Sequence, residues 1–131
     1  MSKKNIIKYW IDTSDRDYKT METLFNSSDY HWGLFVGHLV LEKLLKAIYV
    51  QNIDINPPRI HDLVRLAEKC NIPTDNEKLD KLEFITRFNL NVRYPDYQQE
   101  FYNICTKEFS LDALKTINEV RLWLQSLIRI S

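Results

Sequence analysis

The chain has 131 residues, 44% apolar and 27% charged, and its 18 basic and 18 acidic side chains cancel. Those values suit one globular domain that buries a core without disulfide or metal staples, and zero net charge supplies no global field for DNA. Two glycines and four prolines are too few for the turns of a sandwich, barrel or propeller, and two glycines build neither a dinucleotide-binding nor a phosphate-cradling loop.

Ile7, Trp10, Ser14, Tyr18, Met21 and Phe25 recur at helical spacing and predict a first helix over about residues 5–25. A polar break at 26–29 follows, and Asp29 can cap a second helix over about 30–51. In that helix Val36, Leu39, Val40, Leu41, Leu44, Leu45, Ala47 and Ile48 cover most of the circumference. Only the arc of His38, Glu42, Lys43 and Lys46 is polar. A helix apolar nearly all round belongs in the middle of a bundle. Gly33 and Gly37, four apart, mark a face that another helix can approach closely.

Asn56-Pro57-Pro58 cannot continue a helix. A short one is expected at 61–69, stopped by Asn71 and Pro73, and Thr74 or Asp75 can cap a fourth through Leu79, Leu82, Ile85 and Phe88 that ends before Pro95. Residues 97–109 offer one or two turns around Phe101, Ile104 and Cys105. Ser110 caps a last helix to about 129 on Ala113, Ile117, Val120, Leu124 and Leu127. The expected fold is all-α, an up-and-down bundle of four to five helices in a single domain over 1–131.

His38, Glu42 and Lys46 stand four residues apart, a polar stripe on the most apolar helix. Such a stripe either lines a groove that binds a nucleotide, or pairs internally as a Glu42–Lys46 bridge with His38 bonded to a neighbour. Because unpaired polarity is costly there, it is expected to open on a groove or an interface. Metal binding is not expected: His31 and His38, seven residues apart, lie about 10 Å apart along a helix axis. Asp62 suits the first turn of its helix, and His61 either caps and packs or, with Arg59, rims a binding site. In the stretch 87–102, Arg87 and Arg93 stand beside Tyr94, Tyr97, Phe101 and Tyr102. Arginines for phosphate and rings for stacking would suit RNA or a nucleotide; the alternative is an aromatic cover for the bundle end.

Three segments together resemble the HEPN domain (higher eukaryotes and prokaryotes nucleotide-binding): Phe35-x-x-His38-x-x-x-Glu42-Lys43-x-x-Lys46-Ala47, His61-Asp62-Leu63-x-x-Leu66-Ala67 after two prolines, and Arg93-Tyr94-Pro95-Asp96. The resemblance runs from the first helix to Trp123-Leu124. It implies a helical bundle that dimerises and often pairs with a small nucleotidyltransferase in two-gene toxin–antitoxin modules. Catalytic members are similar to one another in an Arg-x4–6-His ribonuclease motif, commonly with tyrosine two residues after the histidine. Setting Tyr94 on that tyrosine places Arg87 on the arginine and Val92 on the histidine, and no histidine follows Arg87 or Arg93. The chain thus resembles the non-nuclease branch, with no catalytic residue and no cofactor. Its candidate ligand-binding residues are His38, Glu42, Lys46, His61, Asp62, Arg87, Arg93, Tyr94 and Asp96.

The reading is a non-catalytic nucleotide- or nucleic-acid-binding protein, a homodimer acting with a nucleotidyltransferase-type partner. Two alternatives are a ribonuclease using His38 or His61 in a rearranged site, and a pure protein-interaction module. No run of about 20 apolar residues spans a membrane, and the N-terminus lacks the apolar run of a signal peptide. A cytoplasmic location is expected, with Cys70 and Cys105 reduced.

Overall fold

The computed structural model describes residues 2–129, and every regular element among them is a helix. Six helices run up and down: α1 (Lys3–Asn26), α2 (Tyr30–Asn52), α3 (Leu63–Lys69), α4 (Asn76–Arg93), α5 (Pro95–Ile104) and α6 (Lys107–Ser126). The count exceeds the expected four to five because 95–104 forms a full ten-residue helix. Pro95 explains this. Having no amide hydrogen, it cannot continue α4, but its fixed φ suits the first position of α5.

Short polar side chains start the helices by accepting otherwise unpaired backbone N–H groups. Ser2 Oγ accepts from Asn5 N at 3.1 Å, Asp75 Oδ1 from Lys78 N at 2.8 Å, and Thr106 Oγ1 from Phe109 N at 3.2 Å. Asp29 precedes α2 but makes no side-chain cap bond; its carbonyl accepts from Gly33 N instead. Ser110, expected to cap the last helix, lies buried within α6 because Thr106 already occupies that role. Asn71, at φ 54°, follows α3 in the left-handed region that asparagine tolerates.

The apolar circumference of α2 places it at the centre, where α1, α3, α4, α5 and α6 all pack on it. Its Leu34, Val40, Leu41, Leu45 and Ile48 are fully buried. They meet Met21 of α1, Leu66 of α3, Leu82, Ile85 and Phe88 of α4, Phe101 of α5, and Ile117 and Leu124 of α6. Phe101 stacks on Phe88, ring centroids 5.5 Å apart, and fastens α5 to the bundle. The two glycines serve this packing within the chain. A Cβ on Gly33 would lie 2.8 Å from the Phe25 ring, and one on Gly37 would lie 2.6 Å from Ile117 Cδ1. That face is filled by α1 and α6, the close approach expected of it. No described helix is long and apolar enough to cross a membrane.

Leu44, 1% exposed, tests the central position of α2. Leu44→Asp puts an unpaired carboxylate into the core and is expected to abolish cooperative folding. Circular dichroism should show lost helicity and no melting transition; an unchanged melt would place α2 elsewhere.

Candidate functional site

Glu42 is 4% exposed, and two groups meet its carboxylate. Lys46 Nζ, one turn along α2, donates to Oε2 at 3.0 Å, and its ammonium lies 5.3 Å from the centre of the Trp10 ring. His61 Nδ1 lies 2.9 Å from Oε1. An ionised carboxylate only accepts, so Nδ1 carries the hydrogen and, in the neutral ring, Nε2 presents a lone pair. His38 completes the support. Its Nε2–H donates to the His61 carbonyl at 2.7 Å, tying the backbone before α3 to α2.

The stripe is thus spent on internal partners and on holding one loop residue. His61 can be held because α3 starts after it. Asp62 is the N-cap itself and accepts from Val64 N and Arg65 N. His61 thus lies outside the helix, free to turn towards α2, with half of its side chain exposed. Leu63 N donates to Thr86 Oγ1 at 3.0 Å, fixing the start of α3 against α4.

Arg93, at the end of α4, brings its Nη2 to 3.3 Å from His61 Nε2 and donates to that lone pair. Its Nε–H donates to Asn89 Oδ1 at 2.6 Å. The guanidinium only donates, which fixes the orientation of the amide and leaves Nδ2 of this buried asparagine without a partner. Arg93 is bonded to Asn89 and His61 and to no carboxylate among the described residues. Since Lys46 cancels Glu42, the cluster keeps one positive charge, and it lies at the surface.

Five sequence candidates thus come together: His38, Glu42, Lys46, His61 and Arg93. The others do not join them. Asp62 is used as a cap, and Arg87 is exposed and pairs with Glu83 at 3.5 Å. Tyr94 is 52% exposed and meets Tyr97 edge-on, beside the exposed Asp96 in the first turn of α5. Val92 packs into the core. Asn89 is the member that the sequence reading missed. Its signal was a polar residue among Leu82, Ile85, Phe88 and Val92 on the buried side of α4, one turn before Arg93. Among the described residues no three His, Cys, Asp or Glu side chains are gathered as metal ligands.

Burial pushes the Glu42 carboxyl up, but hydrogen bonds from His61 and Lys46, with the Lys46 charge, outweigh it and hold it below the usual range. Burial dominates at His38, pushing it down to about 4 against the opposing pull of Glu42 and of its carbonyl bond. Its Nδ1 has no hydrogen-bond partner, and Glu42 Oε1 lies 3.8 Å away.

Folding stability therefore depends on pH through His38. Below its ordinary 6.5, His38 takes up a proton in the unfolded chain, while in the folded protein it stays neutral to about 4. Stability is fully present above pH 6.5 and is lost as pH falls towards 4, by on the order of 3 kcal/mol from this group. Denaturant titrations between those limits should show the loss, and His38→Gln should flatten most of it. An equally steep loss in the variant would assign it to other groups.

Residues 7–127 match the family model described as the HEPN domain. The crystal structure of TT1696 from Thermus thermophilus is similar at a TM-score of 0.78, over 93% of this chain and 98% of that one. At 14% identity this is a likeness of fold. No curated protein matches the chain at a significant level. Because the family match runs from the first helix to the end of the last, this chain belongs to the HEPN-domain family.

Proposed function

We propose that this protein binds a nucleotide or RNA through a phosphate held by Arg93 beside His61, and that it does not cleave RNA. Family membership ties it to nucleotide- and RNA-related functions in general. The observation that carries the finer reading is the guanidinium of Arg93, fixed by the buried Asn89 and left without a carboxylate among the described residues. A guanidinium so placed can donate to phosphate oxygens without first giving up an ion pair. Tyr94 and Tyr97, exposed beside it in sequence, offer faces on which a base can stack.

The non-catalytic half rests on Val92. A buried valine stands where the resemblance puts the histidine of the Arg-x4–6-His motif, and valine cannot exchange a proton. One observation favours the nuclease alternative: His61 is half exposed and oriented by a carboxylate, as a general base is. His38 offers no such support, being fully buried with its Nε2 committed to a carbonyl. As in the family, the protein would work as a homodimer with a nucleotidyltransferase-type partner in a two-gene module. It would reside in the cytoplasm with both cysteines reduced, as one domain.

Arg93→Ala should keep the fold and lose about 1–3 kcal/mol of affinity for ATP or a short RNA, the range of a charge-assisted hydrogen bond. Arg87→Ala should change little, because residue 87 sits on another face of α4 and pairs with Glu83. Isothermal titration at low salt measures both, beside a metal-free ribonuclease assay. Cleavage abolished by His61→Ala would replace this reading with the nuclease. No binding at low salt would leave the exposed aromatic segment as a protein-binding face.

Light scattering at micromolar concentration should give twice the 15.7 kDa chain mass. A monomer throughout the accessible range would remove the dimer.

A further inference from the structure

Arg93 and His61 set a guanidinium donor against an imidazole nitrogen at the protein surface. Arg93 Nη2 donates to His61 Nε2 across 3.3 Å. Adding a proton to Nε2 removes that acceptor and sets an imidazolium against a guanidinium at the same distance. An anion placed between them reverses the sign of the effect, since one oxygen can accept from Nε2–H and another from the guanidinium. The imidazolium would also be matched from behind, where Glu42 Oε1 accepts from Nδ1 at 2.9 Å.

We propose, resting on the phosphate-binding reading above, that Arg93 and His61 take a terminal phosphate monoester in its dianionic form together with one proton on His61 Nε2. The charges select this ligand. Lys46 neutralises Glu42, Arg93 carries one positive charge, and a protonated His61 adds a second. Two adjacent cations match the two charges of a terminal phosphate, whereas an internal phosphodiester carries only one.

The surroundings of His61 are compatible with this coupling. From α2 it faces Glu42, with Lys46 on the far oxygen and the neutral His38 on its carbonyl. From α4 it faces Arg93. Its chain neighbour Asp62 is turned away into the cap of α3, and Arg59 is exposed in the preceding loop. Proton and ligand then promote each other reciprocally, as any two linked binding events must. The ligand class has two sources, a free nucleotide or the phosphorylated end of an RNA.

Titration calorimetry of the whole protein with AMP, a 5′-phosphorylated tetranucleotide and the same RNA with a 5′-hydroxyl separates these. Phosphate monoesters lose their second proton near pH 6, so their charge is essentially constant from about pH 7 to 9. Over that interval the affinity for a terminal phosphate should fall by up to about tenfold per pH unit, with up to one proton taken up per ligand bound. The phosphorylated RNA should bind at least about tenfold more tightly than its 5′-hydroxyl form, one dianion–cation contact more. The tighter of AMP and phosphorylated RNA identifies the source, and either result supports the class.

His61→Gln, at a half-exposed position, keeps an amide donor but cannot titrate. It should bind more weakly and with no pH slope. Equal binding of the 5′-hydroxyl and 5′-phosphorylated RNAs would overturn the inference while sparing the phosphate-binding reading. So would a flat pH profile with no proton uptake. Failure of all three ligands to bind at low salt would overturn both.

Discussion

A carboxylate on the most buried helix of a bundle must be matched or it unfolds the protein, and the site grows from how Glu42 is matched. An isolated charge in an apolar interior costs far more than a single hydrogen bond returns. Lys46 supplies the countercharge from the same helix, and His61 supplies the second hydrogen bond from the loop before α3. The loop must then run close to α2, which the bond from His38 to the His61 carbonyl secures. Removing Glu42 would release both the ammonium packed on Trp10 and the histidine at the surface.

The site has buried anchors and exposed ends. Glu42 and Asn89 are within the protein; His61 and Arg93, which they hold, reach solvent. This division reconciles precision with access. Long polar side chains at a surface lose orientation to rotamer freedom, and a buried partner restricts that freedom before any ligand arrives. The cost appears as two buried atoms without partners, His38 Nδ1 and Asn89 Nδ2. Each is the second polar atom of a side chain whose first is committed to positioning a neighbour.

The two positions that the resemblance assigns to the ribonuclease motif have different surroundings here. The position that the resemblance assigns to a histidine holds Val92, which packs in the core, and Arg87 stands in solvent with Glu83. The histidine and arginine that do approach each other, His61 and Arg93, come from different segments and meet where α2, the start of α3 and α4 pack together.

The sequence by itself determined the helices and their centre. Three-and-four spacing on α1, α4 and α6 and the apolar circumference of α2 are local patterns, and burying them leaves few arrangements. It also marked His38, Glu42, Lys46, His61 and Arg93, since polar residues interrupting apolar faces or flanking prolines are visible without coordinates. What it did not decide was their partners. Whether the α2 stripe opened on a groove or closed on itself depended on where residues 53–62 passed, and no periodicity specifies the path of a loop. Asn89, a lone asparagine on a buried face, acquires meaning only when Arg93 reaches back to it. The helix-start reading of Asp62 holds, since it caps α3, while the ion pair with Glu83 that occupies Arg87 is visible only in the folded chain. Spacing along one helix is fixed by backbone geometry; contacts between segments far apart in the chain are fixed by packing, and the tertiary structure alone decided them.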